Sequence, residues 1–145
     1  LCTRLLLKKI NPKLNISYNQ FGAPTINKNQ NISISHSEKY VAIIISKNKV
    51  GIDIEKISNK PLKVIQKFTS KNDNIKADQK EASLAWSAKE TLFKYHMEGE
   101  IDFKKNINIK KIDFEQKKIY TLFLKSSVIL DFQIINDHIL VYVCK

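Results

Sequence analysis

The sequence predicts an α+β fold in which antiparallel strands pack around one long helix. Short apolar runs with strand-like alternation occur in both halves of the chain. Between them, residues 78–97 form a helix-length segment with no Gly or Pro. With 145 residues, of which 43% are hydrophobic, the chain is long enough to bury a core. We therefore expect one globular unit in which strands from both halves flank the helix.

The first half of the chain opens with an amphipathic helix and continues into strands. The run LCTRLLLKKI has helical spacing and ends at Asn11-Pro12, and the Gly-, Pro- and Asn-rich residues after it are typical of a loop. Residues 31–36 alternate Ile with Ser, which indicates a half-buried strand. Residues 40–47 and 50–57 are the next two strand-like runs. We expect the three strands to form an antiparallel meander.

The second half holds the long helix and four further strands. KPLKVIQKFTS has the spacing of a short helix that opens with a proline. The long helix begins at Asp78, which with Glu81 resembles a capping box, and we expect Gly99 to close it. The strand-like runs after it are NINIKKIDF, KIYTLFL, SVILDFQII and HILVYV.

The charge composition limits the classes of partner. The net charge is +11, yet Arg4 is the only arginine among 25 basic residues. Readers of nucleic acid favour Arg and aromatic stacking platforms, so we expect no nucleic-acid partner. The longest purely apolar run, 41–45, is too short to span a membrane, and we expect a cytoplasmic protein. Cys2 and Cys144 match no metal or redox spacing, so we expect two free thiols.

Two carboxylates interrupt the strand VGIDIEKI. Residues two apart in a strand share a face, so Asp53 and Glu55 point together and Ile52 and Ile54 point the other way. Paired carboxylates repel each other unless a cation lies between them, and oxygen ligands suit a hard divalent ion. A solvated strand face beside Lys56 is the other reading. The strand alone leaves both readings open.

A mixed stripe follows one face of the long helix. Trp86, Glu90 and Lys94 are spaced four apart, which stacks them along the helix. Such a stripe is typical of an exposed Glu-to-Lys pair beside a core tryptophan. It also suits a site that needs an acid and a base, and the helix alone leaves this open.

Taken together, three motifs indicate a protein family. SHS at residue 35, GIDIE at residue 51 and WSAKE at residue 86 occur in an order that resembles the 4′-phosphopantetheinyl transferases of the surfactin-synthetase activator type. FGAPTI before the first motif and HMEGEIDF after the last also match segments of that family, so the resemblance covers residues 18–103.

The resemblance implies a reaction and its partners. The 4′-phosphopantetheine group of coenzyme A passes to a serine of an apo acyl or peptidyl carrier protein, which is a holo-acyl-carrier-protein synthase activity. Mg²⁺ is the cofactor, coenzyme A the co-substrate and adenosine 3′,5′-bisphosphate the leaving group. Carrier proteins are acidic, which gives the basic surface of this chain a use.

The resemblance also assigns roles to residues of this chain. Asp53, Glu55 and Glu90 correspond to ligands of the Mg²⁺ that binds the diphosphate, and Glu90 to the base for the serine proton. Lys94 corresponds to the cation that neutralises the departing phosphate. By the same resemblance Ser35, His36 and Lys94 contact the phosphates of coenzyme A.

The chain departs from the family pattern in two places. The family carries G-K-P where this chain has Ala23 between Gly22 and Pro24, so one phosphate contact is missing, and Lys28 is a candidate substitute. The resemblance also implies two similar halves, and because only 34 residues precede Ser35 we expect most of the first half to be absent. We expect residues 1–30 to be a remnant of that half with its linker, residues 31–145 to be the transferase domain, and exposed apolar surface to favour self-association. The alternative function is a non-catalytic remnant that at most binds carrier proteins.

Overall fold

The computed structural model describes residues 2–27 and 29–145. Within them the elements follow in the order α1 (Cys2–Ile10), β1 (Ser17–Tyr18), β2 (Pro24–Thr25), β3 (Asn31–His36), β4 (Val41–Ser46), β5 (Val50–Lys56), α2 (Asn59–Lys63), α3 (Ile65–Phe68), α4 (Gln79–His96), β6 (Ile107–Asp113), β7 (Lys118–Phe123), β8 (Ser126–Ile135) and β9 (His138–Cys144). The predicted α+β class is confirmed. The short helix predicted near residue 61 is divided into α2 and α3, because Val64 leaves helical geometry between them.

The main core lies between α4 and the larger sheet. The strands of this sheet are antiparallel in the order β5-β9-β8-β7-β6. Ile139 and Val141 of β9 are buried in one cluster with Leu84, Ala88 and Leu92 of α4. The long helix predicted from the sequence therefore covers one face of the sheet.

Strands β3 and β4 form a separate antiparallel hairpin. Ile32 of β3 is buried in a second core cluster with Leu7 of α1 and with Leu14, so residues from the N-terminal segment and the hairpin share one core. The predicted boundary at residue 30 stays a prediction.

The predicted meander is wrong in its third strand. Strand β5 pairs with β9 and not with β4. The outer edge of β5 is instead contacted by β3, where the hydroxyls of Ser33 and Ser35 accept the N–H groups of Ile52 and Ile54 at 3.1 Å each. Side chains here supply the hydrogen bonds that the backbone of a neighbouring strand would make.

Helix α4 begins as predicted and ends before the predicted residue. The side chain of Asp78 accepts the N–H of Glu81 at 2.8 Å and caps the first turn. At the other end Met97 takes the left-handed conformation, with φ of 64°, so the expectation that Gly99 closes the helix is wrong. The carbonyl of Met97 accepts the side-chain amide of Asn19 at 3.0 Å, which holds this helix end against the loop after β1.

Two further features concern the helices and the cysteines. No helix within residues 2–27 and 29–145 combines the length and the apolar character that crossing a membrane requires. Cys2 and Cys144 are both exposed and unbridged, as predicted.

Candidate active site between strand β5 and helix α4

Strand β5 turns its two carboxylates toward α4. Asp53 is only 2% exposed, so the anionic face of the strand lies under the helix and not against solvent. Gly51 allows this close crossing, because a Cβ at residue 51 would overlap the carbonyl oxygen of Thr91 in α4. The opposite face is buried as well, with Ile52 and Ile54 at 5% and 3% exposure. The reading of a solvated strand face is therefore wrong for Asp53.

The carboxylate of Asp53 accepts hydrogen bonds from three side chains. Oδ1 accepts the Oγ–H of Ser35 at 3.0 Å and the ammonium of Lys94 at 2.8 Å. Oδ2 accepts the Oγ–H of Ser87 at 2.8 Å. Lys94 also donates to the carbonyl oxygen of Ile52 at 3.2 Å. A buried carboxylate needs such partners, and here one of them carries the opposite charge.

The motif SHS divides its residues between two faces of β3. Ser35 is buried, with its hydroxyl shared between Asp53 and the N–H of Ile54. His36 is exposed, and strand alternation sends it to the other face. The two residues therefore do not lie side by side in front of Asp53. Their contact with phosphates stays a prediction.

Glu90 lies on the same face of α4 as the partners of Asp53. It follows Ser87 by three residues and precedes Lys94 by four, so the three stack along the helix over β5. The pKa of Glu90 is raised to about 7, mainly by burial and then by the charge of Asp53; Lys94 opposes the rise, and Glu55 adds a smaller increase. The charges of both carboxylates of β5 therefore raise the pKa of Glu90.

Glu55 completes the acidic group. Burial is the main cause that raises its pKa, the charge of Asp53 adds to it, and Trp86 and Lys94 oppose it. The charge of Asp53 thus acts on both Glu55 and Glu90, and Lys94 lowers the pKa of both and pairs with Asp53. Sequence analysis predicted this group.

The acidic group has the oxygen donors of a divalent-cation site, but they do not form a preformed coordination sphere. Among residues 2–27 and 29–145, no three His, Cys, Asp or Glu side chains converge in metal-binding geometry. The oxygens of Asp53 already accept hydrogen bonds from Ser35, Ser87 and Lys94. The donor chemistry suits Mg²⁺, which prefers a few carboxylates together with substrate phosphates and water. The ligand set Asp53, Glu55 and Glu90 stays a prediction.

Sequence analysis missed Ser87 and Lys89, both in the WSAKE motif. Ser87 holds Asp53 and is fully buried; its spacing to Glu90 and Lys94 on one helical face was a usable signal. The ammonium of Lys89 is also fully buried, within 2.8–2.9 Å of Asp73 Oδ2 and of three carbonyl oxygens, those of Phe68, Phe103 and Ile107. Nothing in the local sequence distinguishes this lysine from an exposed one.

A cleft opens on one side of the acidic group. Its volume is about 250 Å³, and its walls include Ala23, Ser33, Phe93 and Lys94. The segment FGAP, which matches the family's G-K-P segment, therefore faces the same space as Lys94. Ala23 brings no charge to this cleft, and Lys28 lies outside the described residues.

A second cleft lies beside Glu55, between α2 and α4. It has a volume of about 340 Å³ and is lined by Glu55, Lys56, Lys60 and Trp86 among others. The lysines that continue along α2 and α3 are exposed. The acidic group thus lies between two open clefts, each with lysine in its wall.

Comparison with known proteins assigns this arrangement to a family. The family described as the 4′-phosphopantetheinyl transferase superfamily matches residues 49–143, which is more than half of the chain and includes all of β5 and α4. The chain belongs to the 4′-phosphopantetheinyl transferase superfamily. The predicted resemblance is thereby confirmed, and the order of the motifs is consistent with the surfactin-synthetase activator type.

One curated relative extends this result. The chain is similar to the 4′-phosphopantetheinyl transferase gsp of Aneurinibacillus migulanus, with 34% identity over 104 residues. That match covers 65% of this chain and 44% of the relative, so this chain matches less than half of the relative's length. Ser35 and His36 lie before the residues that the superfamily match covers.

Proposed function

We propose that this chain carries the metal- and diphosphate-binding part of a phosphopantetheinyl transfer site. In this reaction the 4′-phosphopantetheine group of coenzyme A passes to a serine of an apo carrier protein, and adenosine 3′,5′-bisphosphate is released. The observation that carries the proposal is the group formed by Asp53, Glu55, Glu90 and Lys94 between β5 and α4, in a chain of this superfamily.

The acidic group supports dependence on a divalent cation. Besides burial, the charge of Asp53 raises the pKa of both Glu55 and Glu90, so the group gains stability from a positive partner. The oxygens of Asp53, Glu55 and Glu90 would hold Mg²⁺. When bound, the ion would neutralise negative charge on the diphosphate oxygens. The residues of the chain then have to orient the substrates and move one proton.

Each residue has a role in the transfer step. The serine hydroxyl of the carrier attacks the β-phosphorus of coenzyme A, and the bond from that phosphorus to the bridging oxygen breaks. Glu90 takes the hydroxyl proton, for which a carboxylate with a pKa near neutrality is suited. Lys94 neutralises the charge on the departing bisphosphate. Ser35 and His36 are proposed to contact the nucleotide phosphates from β3.

The partner is proposed to be an acidic acyl or peptidyl carrier protein. Exposed lysines continue from the cleft beside Glu55 along both short helices, and we call them the basic row: Lys56, Lys60, Lys63, Lys67 and Lys71. A surface of one sign beside the acidic group would attract a partner of opposite charge and raise the association rate.

Three further properties belong to the same proposal. A cytoplasmic location suits the exposed free thiols of Cys2 and Cys144, since reducing compartments keep thiols unbridged. The division into residues 1–30 and 31–145 follows the motif order. Self-association would cover exposed apolar side chains such as Leu5, Ile10 and Phe21.

A mass assay tests the proposed function. The protein is incubated with coenzyme A, Mg²⁺ and an apo carrier protein, and the mass of the carrier is then measured by mass spectrometry. We expect the carrier to gain one phosphopantetheine group, and we expect Glu90→Gln to abolish the gain. A carrier that stays unmodified while still binding the protein would instead support the non-catalytic, carrier-binding alternative.

A further inference from the structure

Lys94 pairs with Asp53, one of the carboxylates proposed to hold the divalent cation. Its Nζ lies 2.8 Å from Asp53 Oδ1, and the two side chains are 27% and 3% exposed. The same ammonium is 3.2 Å from the carbonyl oxygen of Ile52. An ion pair this short, with the acid almost fully buried, is stronger than an exposed surface pair.

The three hydrogen-bond partners of Asp53 differ in how easily they can leave its carboxylate. Ser35 and Ser87 are buried and neutral, and the hydroxyl of Ser35 also accepts the N–H of Ile54. Lys94 has a flexible side chain that is partly exposed and lines the 250 Å³ cleft. Of the three, only the ammonium can leave Asp53 without exposing a buried group.

A bare cation and the ammonium cannot share Asp53 Oδ1, because two positive charges would lie within a few ångströms of each other. A free ion bound at Oδ1 would therefore displace Lys94 into the cleft, where nothing anionic among the described lining residues receives it. A diphosphate in the same cleft would offer the ammonium new anionic acceptors. The cost of displacement is then largely recovered.

We propose that Lys94 makes this site select a divalent cation that arrives together with a diphosphate over the free ion. This inference rests on the proposed function and deepens it. Ion and diphosphate then bind cooperatively, and by linkage each raises the affinity of the protein for the other by the same factor.

Titration of the protein with Mn²⁺ alone, followed by calorimetry, tests the first half of the inference. We expect Lys94→Gln to bind free Mn²⁺ about tenfold more tightly than the wild type, since the competing charge is gone. The matched control is Lys118→Gln, which removes an ammonium 2.7 Å from Asp131 on the far strands and lowers the net charge equally. Free-ion affinity that is unchanged or weaker in Lys94→Gln overturns the inference.

The same titration at saturating coenzyme A tests the second half. We expect coenzyme A to raise the Mn²⁺ affinity of the wild type about tenfold or more, and to raise that of Lys94→Gln by a smaller factor. Equal factors in the two proteins overturn the inference. Failure of the proposed function is distinguishable, because it appears as an unmodified carrier in the mass assay whatever the Mn²⁺ affinities are.

Discussion

Asp53 and Glu90 are two carboxyl groups of one site, but their surroundings have opposite effects on stability. Asp53 is almost fully buried and accepts hydrogen bonds from Ser35, Ser87 and Lys94. Burial and the charge of Asp53 raise the pKa of Glu90 to about 7, which means that its ionised form is disfavoured in the folded protein. Asp53 therefore stabilises the metal-free fold, whereas ionised Glu90 destabilises it.

The two carboxylates should respond oppositely to neutral substitution in the absence of divalent ions. We expect Asp53→Asn to lower the free energy of unfolding by about 1–3 kcal/mol, because Lys94 loses its ion pair inside the protein. We expect Glu90→Gln to raise it at about pH 8 by about 1–3 kcal/mol, after allowance for partial exposure of the side chain.

The gain from Glu90→Gln should depend on pH. Its folded pKa of about 7 lies above the ordinary value of 4.5, so between these values the folded state binds more protons than the unfolded state. Stability of the wild type therefore falls as pH rises through this window, and Gln removes the fall. Urea unfolding in EDTA at about pH 5 and about pH 8 measures both effects. Equal stability of wild type and Glu90→Gln at the higher pH would contradict this account.

At the scale of elements, a buried ion pair fixes helix α4 against its surroundings. The side chains of Lys89 and Asp73 are both fully buried, and their charged atoms are 2.9 Å apart. Burial lowers the pKa of Lys89, and the hydrogen bond with Asp73 opposes this. The ammonium also reaches carbonyl oxygens at the end of α3 and the start of β6. One side chain thus connects three elements directly beside Glu90.

Loss of this ion pair should be costly. We expect Lys89→Met to lower the free energy of unfolding by about 3–5 kcal/mol, because the carboxylate of Asp73 stays buried without its cation. The matched control is Lys80→Met in the same helix, an exposed lysine that should cost less than about 1 kcal/mol. Chemical denaturation measures both. Similar losses in the two variants would show that Lys89 does not hold these elements together.

For the whole molecule, part of the net charge of +11 is concentrated in the basic row beside the acidic group. The basic row follows α2 and α3 beside the cleft at Glu55, whereas other exposed lysines, such as Lys110 and Lys125, lie on the strands beyond α4 and in their turns. Under the proposed function, lysines near the acidic group would guide a carrier serine toward it. We expect the remaining lysines to contribute only to the overall charge.

Charge reversal separates these two populations. We expect the pair Lys63→Glu and Lys67→Glu to lower kcat/KM for the carrier about tenfold at low salt, with little change in the KM for coenzyme A. The pair Lys110→Glu and Lys125→Glu changes the net charge equally and should leave both constants nearly unaltered. The difference should shrink at physiological ionic strength, where screening acts over about 8 Å. Equal losses in the two pairs would mean that overall charge attracts the carrier.

The sequence by itself determined the local features of this protein. Helical spacing and a capping residue predicted α4 from its first residue. Apolar runs or alternation predicted the longer strands, and strand spacing predicted the shared face of Asp53 and Glu55. The ordered motifs predicted the superfamily, which the match over residues 49–143 confirms. These features depend on residues close in sequence, so that periodicity and spacing record them.

Only the tertiary structure decided which segments meet and which charges are buried. Strand β5 pairs with the far end of the chain, and the serines of β3 bind its free edge. Lys89 and Lys94 look alike in the sequence, yet one is enclosed by carbonyl oxygens and the other lines an open cleft. Such differences arise from contacts between distant segments. The cost of burying a charge is set by partners that local periodicity does not specify.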